Sequence, residues 1–159
     1  MDPSGSSEST SDNDDAVTRN RRFEILAQAD AHPLHTLAEA VLADAGAYPV
    51  SVVTPPRPGV LMLRLREPVR GTVFNAGEVL VTEAAVSLGG MPGYAMRLGR
   101  EPETTLAAAI LDAAVAADHP LSPKIVTLLG EQERAAEARD AAVWRAVAPT
   151  RVAFEEMHQ

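Results

Sequence analysis

The chain of 159 residues contains no cysteine. Disulfide staples, thiolate metal sites and cysteine nucleophiles are therefore excluded, and the composition is compatible with a reducing compartment. Aromatic residues make up only 4%, so any core must be built from Ala, Val and Leu. Of the basic residues only Lys124 is a lysine, and basic side chains are outnumbered, 14 against 22 acidic. The net charge of −8 argues against a nucleic-acid or anionic-membrane surface as the main business of the protein. No apolar run approaches the roughly 18 residues of a membrane span. The start, Met1-Asp2-Pro3-Ser4, lacks the basic and apolar regions of a secretion signal.

What is present suffices for one domain with a sizeable core, since 46% of the chain is hydrophobic. The charge is unevenly spread. Asp2, Glu8, Asp12, Asp14 and Asp15 against Arg19 put half of the net charge into residues 1–20. That stretch is rich in Ser and poor in apolar side chains, so burial cannot offset its ordering entropy. It is expected to be a disordered acidic tail, and residues 21–159 a single α+β domain.

A first helix is expected over about 16–29, with Phe23, Leu26 and Ala27 on one face. Pro33 suits the first turn of a second helix, where Leu34, Leu37, Val41 and Ala45 recur at helical spacing, and Gly46 follows as a stop. The period then becomes two. Tyr48, Val50 and Val52 alternate before Pro55-Pro56-Arg57-Pro58-Gly59, which reads as a turn. Leu61, Leu63 and Leu65 share one face of a second strand, with Met62, Arg64 and Arg66 opposite. A third strand follows the turn at 68–71, with Asn75 and Gly77 shaping a further turn. A fourth follows the loop Gly89-Gly90-Met91-Pro92-Gly93. Helix resumes at Glu101-Pro102-Glu103, stops at His119-Pro120, and restarts at Ser122-Pro123. Val152 and Phe154 alternate near the end and suggest an added strand. The expected architecture is thus a four-stranded antiparallel β-meander flanked by two N-terminal and two C-terminal helices. Both faces of the strands carry apolar side chains, which points to a covering partner.

Chemistry-bearing patterns are sparse. His32 and His35 straddle a helix start with no further ligand at a confirming spacing, so they read as capping or solvated residues, and no metal site is expected. There is no Walker loop and no Gly-x-Ser-x-Gly elbow. Arg64, Arg66, Arg97 and Arg100, on or after neighbouring strands, are suited to bidentate anion binding. A small anion- or nucleotide-binding module using Arg64, Arg97 and Arg100 is therefore one reading. The plainer one is surface ion pairing with Glu67, Glu78 and Glu101.

Gly59-Val60-Leu61-Met62, then Phe74-Asn75-Ala76-Gly77-Glu78-Val79-Leu80-Val81-Thr82, then Gly93-Tyr94-Ala95 and Gly99-Arg100-Glu101 together resemble the PhnG family. That family is the small G subunit of the bacterial carbon–phosphorus lyase core complex. The similarity extends back to Arg22, Leu26 and Ala27, and forward through Asp112-Ala113 to Thr150-Arg151-Val152-Ala153-Phe154. It implies a cytoplasmic subunit that assembles with the I, H and J subunits (PhnI, PhnH and PhnJ) in phosphonate breakdown. The complex would form α-D-ribose 1-alkylphosphonate 5-triphosphate from ATP and alkylphosphonate. Radical chemistry would belong to an iron–sulfur, S-adenosylmethionine-dependent J subunit. The resemblance implies no catalytic residue and no cofactor on this chain. Phe74, Asn75, Gly77, Glu78, Thr82, Tyr94, Arg151 and Phe154 are the structural or interface candidates. The chain departs from the family pattern at Glu83-Ala84, where an Arg is usual in place of Glu83, and at Phe154-Glu155-Glu156-Met157.

Overall fold

The computed structural model describes residues 8–44 and 46–148, with side chains from residue 18 onward. The elements are α1 (Glu8–Gln28), α2 (Ala31–Leu42), β1 (Val50–Arg66), β2 (Val73–Leu88), β3 (Met91–Leu98), α3 (Pro102–Ala116) and α4 (Ser122–Val147). The expected order of two helices, sheet and two helices is observed. The added strand expected around Val152 and Phe154, and Arg151 with it, lies outside the described residues. Helix α1 begins at Glu8, inside the stretch expected to be a disordered tail. Composition weighed only how much that stretch could bury, whereas a helix already held at residues 18–28 extends through backbone bonds alone.

Among the described residues the sheet has three strands, in the order β1-β2-β3, all antiparallel. The fourth strand of the expected meander does not exist as a separate element. The segments on either side of Pro55-Pro56-Arg57-Pro58 belong to one strand, β1, which runs through the prolines with register shifts between Val52 and Thr54 and between Thr54 and Arg57. Proline blocks a ladder bond only on the side its nitrogen faces, and β1 is an edge strand, so the outer side absorbs that loss while the shifts relieve the rest.

Asn75 and Gly77 do not make the turn expected of them either. Leu63 pairs with Gly77 and Arg64 with Asn75, which leaves Ala76 as the extra residue of a β-bulge in β2. Gly77 there adopts φ +151°, a conformation natural to glycine. Gly89 and Gly90 do form the expected hairpin turn, with φ of +58° and +85°, the pattern of a two-residue type I′ turn.

The core centres on α3. Its Ala107, Ala108, Ala109, Leu111, Ala113 and Ala114 are buried, and it packs on β2, β3, α2 and the ends of α1 and α4. The even positions of β2 from Thr82 to Leu88 face these helices. Helix α3 ends in a Schellman motif, with Asp118 N–H on Val115 O, His119 N–H on Ala114 O, and Asp118 in the left-handed region at φ 50°. The stop thus precedes Pro120 and needs no glycine. His119 is buried against the Tyr48 ring, its Nδ1 accepting from Leu121 N–H.

Two parts of the fold stand clear of this core. One is the ribbon formed by β1 beyond Arg57 and β2 before Val81, which β3 does not reach because it pairs only from Val81 onward. The other is the second half of α4, where Val143, Val147 and the lone tryptophan, Trp144 (69% exposed), are solvated.

Candidate functional site

The ribbon is the most unusual surface of the molecule. Alternation along β1 puts Leu61, Leu63 and Leu65 on one face, and pairing adds Val79 and Phe74 to it. Met62, Arg64 and Arg66 lie on the other face, with Glu78 opposite Met62. Leu61, Leu63, Leu65 and Phe74 are each between 42% and 48% exposed. A contiguous apolar face of this kind on a two-stranded ribbon is marginal in water and marks an interaction surface. Its tip is firmly built. The Glu67 carboxylate accepts from Val69 N–H and Arg70 N–H, Glu67 and Thr72 close a backbone bond, and Arg66 Nη1 donates to Gly71 O.

Phe74, Asn75, Gly77 and Glu78, four of the sequence candidates, lie on this ribbon and are exposed. Phe74 is an anchor only if something covers it. At 48% exposure, Phe74→Ala is expected to cost the isolated chain about 1 kcal/mol or less, against roughly 3–5 kcal/mol for a fully buried ring. Chemical denaturation followed by circular dichroism measures this, and a loss above about 2 kcal/mol would place the ring in the core.

Thr82 and Tyr94 belong to the body. The buried Thr82 hydroxyl donates to Gly99 O at 2.8 Å and accepts from Glu101 N–H at 3.1 Å, fixing the turn into α3. Tyr94 stacks on Phe23 of α1, ring centroids 5.8 Å apart and planes within 7°, and its hydroxyl donates to Glu83 at 3.0 Å. Arg57 holds the other oxygen of Glu83 at 2.7 Å. Glu83 is thus tied within this chain. Arg57 and the Tyr94 hydroxyl hold the Glu83 carboxyl below its ordinary value of 4.5. Burial, reinforced by the Glu83 hydrogen bond, pushes Tyr94 up. Because the folded state lowers the Glu83 value, its contribution is present above the unfolded value and is lost as pH falls through the folded one. Glu83→Gln should therefore flatten the fall in melting temperature between neutral pH and pH values below 4.5; equal slopes for the two proteins would refute this.

Arg64, Arg97 and Arg100 do not converge. Arg64 pairs across to Asn75 and Arg97 to Thr82, which separates them by roughly 20 Å along β2. Arg97 is buried and fully engaged: Nη1 and Nη2 donate to Leu26 O and Ala29 O at 2.6 and 2.9 Å, and Nε to Glu101 at 2.9 Å. It caps the C-terminus of α1, which has no basic residue in its own last turn. Arg97–Glu101 is the one expected arginine–glutamate pair that forms among the described residues. Arg64 and Arg100 are exposed. His35 meets Thr104 Oγ1 at 3.2 Å.

Sequence reasoning missed the group that pins α1 to the body. Asp112, its side chain 4% exposed in the middle of α3, accepts from Arg22 Nε at 2.6 Å and from Tyr94 N–H at 3.1 Å, with Arg19 at 3.9 Å. A cavity of about 310 Å³ lined by Arg19, Asn20, Phe23, Tyr94 and Asp112 opens beside it. The sequence signals were one carboxylate within a run of alanines, at a position where α3 shows no polar stripe, and the place of Arg22 and Asp112 among the residues that carry the resemblance.

Compared with known proteins, the chain matches a family model described as phosphonate metabolism protein PhnG over residues 17–159. No curated protein matches it.

Proposed function

On the premise that this chain belongs to the PhnG family of phosphonate metabolism proteins, we propose that it serves as a structural or co-catalytic subunit of a carbon–phosphorus lyase core complex. Family membership itself implies a part in phosphonate metabolism and in a complex devoted to it. The finer reading is that the chain supports a neighbouring I-type subunit, with H and J subunits present, in making α-D-ribose 1-alkylphosphonate 5-triphosphate from ATP and an alkylphosphonate. No catalytic role is assigned to any residue, and ATP, the iron–sulfur cluster and S-adenosylmethionine are assigned to other subunits. A cytoplasmic setting fits the absence of cysteine; no described helix is long and apolar enough to cross a membrane.

The observation that carries this reading is the ribbon of β1 and β2. Four large apolar side chains on one face remain about half exposed, on a two-stranded element that the rest of the described residues leave uncovered. Co-expression with the I, H and J homologues of the same source is expected to yield a complex containing this chain at fixed ratio. Recovery of the chain as a free monomer beside an intact complex of the others would overturn it.

A further inference from the structure

We propose that the outer edge of β1 over residues 59–66 is a docking strand for an extended segment of a different subunit, apolar on one face and acidic on the other. The inference rests on the reading of this chain as a subunit and specifies how it is held.

Among the described residues β1 pairs with β2 on one side only, so its other side presents there a row of backbone donors and acceptors without a strand partner, a template for an added strand. Pro55, Pro56 and Pro58 interrupt that row in the first part of the strand. Residues 59–66 contain no proline and one glycine, Gly59, which confines an added strand to the ribbon. The tip held by Glu67 and Arg66 gives the edge a fixed shape before docking, which lowers the ordering cost of association.

The side chains specify the occupant. Leu61, Leu63, Leu65 and Phe74 offer an apolar face. On the opposite face Arg64 and Arg66 are exposed beside the apolar Val60 and Met62, and among the described residues neither arginine has a carboxylate within 4.0 Å. That is notable in a chain with 22 acidic residues. Beyond Arg57, which Glu83 neutralises, the ribbon up to Leu80 carries Arg64, Arg66 and Arg70 against Glu67 and Glu78, a net positive arm on an acidic protein. A strand alternating apolar and acidic residues complements both faces at once. A second copy does not: antiparallel pairing of this edge with itself puts the Arg64 and Arg66 of both copies on one face, and residues 59–66 hold no carboxylate to answer them.

The test uses the full chain, alone and assembled with the other subunits of its complex. Amide hydrogen exchange over residues 59–66 is expected to slow by about tenfold or more on assembly, with the outer edge of β3 unchanged. The variant Arg64→Glu should weaken assembly by about tenfold or more while its own melting temperature is kept, and Arg64→Lys should assemble normally. A complex that forms with residues 59–66 unprotected, or that tolerates Arg64→Glu, overturns the docking strand and leaves the subunit reading standing. Failure of the wild-type chain to assemble overturns both. Dimers of the chain alone with residues 59–66 protected would make a second copy the occupant and also overturn it.

Discussion

Gly93→Ala is expected to destabilise the chain by about 3 kcal/mol or more, the upper end of what overpacking does. A Cβ at this position would overlap the Ala109 carbonyl oxygen and come within 2.5 Å of Ala113 N and 2.6 Å of Ala113 Cβ. These are mostly backbone atoms of a helix packed on every side, so no side chain can rotate away. Either α3 lifts from β3 or the strand bends, and each loosens the largest block of the core. The sequence arrives at this closeness through three small residues: Gly93 on the strand, and Ala109 and Ala113 one turn apart on the helix. Gly59→Ala is the control, since a Cβ there meets only Val81 Cγ2, at 3.8 Å, an ordinary contact. Guanidinium denaturation followed by far-ultraviolet circular dichroism compares the two. A loss below about 1 kcal/mol for Gly93→Ala would mean that α3 can retreat at little cost.

The second large effect is expected at Asp112. Removing one member of a buried ion pair leaves the other charge uncompensated, which costs roughly 3–5 kcal/mol. Asp112→Ala strands the Arg22 guanidinium, 12% exposed, and the Tyr94 N–H at the same time. Asp112→Asn keeps an acceptor for Tyr94 but loses the charge, so its loss should be smaller. Combining Asp112→Ala with Arg22→Met removes both charges, and the double variant should be more stable than the sum of the single losses predicts. Strict additivity, measured by the same denaturation, would show that Arg22 finds other partners and that the pair does not hold α1 in place.

These two positions show where reading along the chain succeeds and where it stops. The order of helices and strands was legible because periods of 3.6 and 2 are local properties, and the Gly89-Gly90 hairpin because its turn demands positive φ. The proline run misled because whether proline ends a strand depends on which side of the sheet is free, and that is a property of the neighbours. Asp112 and Arg97 were illegible in their roles for the same reason. An arginine at the end of a strand reads as an anion ligand or a surface ion-pair partner, and a carboxylate among alanines carries no reading of its own, until α1 is laid beside them. Glu83 was visible as a departure from its family, but its partners Arg57 and Tyr94 come from two other strands. The ribbon was legible only in part: apolar side chains on both faces of the strands pointed to a cover, but which stretch the domain's own helices leave bare depends on where β3 stops pairing, and that is again a property of the neighbours.

Trp144, standing in solvent on the second half of α4, decides what light can report about this molecule. It is the only indole in the chain, and it lies outside the alanine-rich core whose melting one would want to follow. Its emission should begin red and change little as the body unfolds, so a fluorescence melt would understate the transition that circular dichroism records. The same isolation makes it a clean reporter of arrival. A shift of its emission to the blue in a folded sample means that something has come to rest on α4.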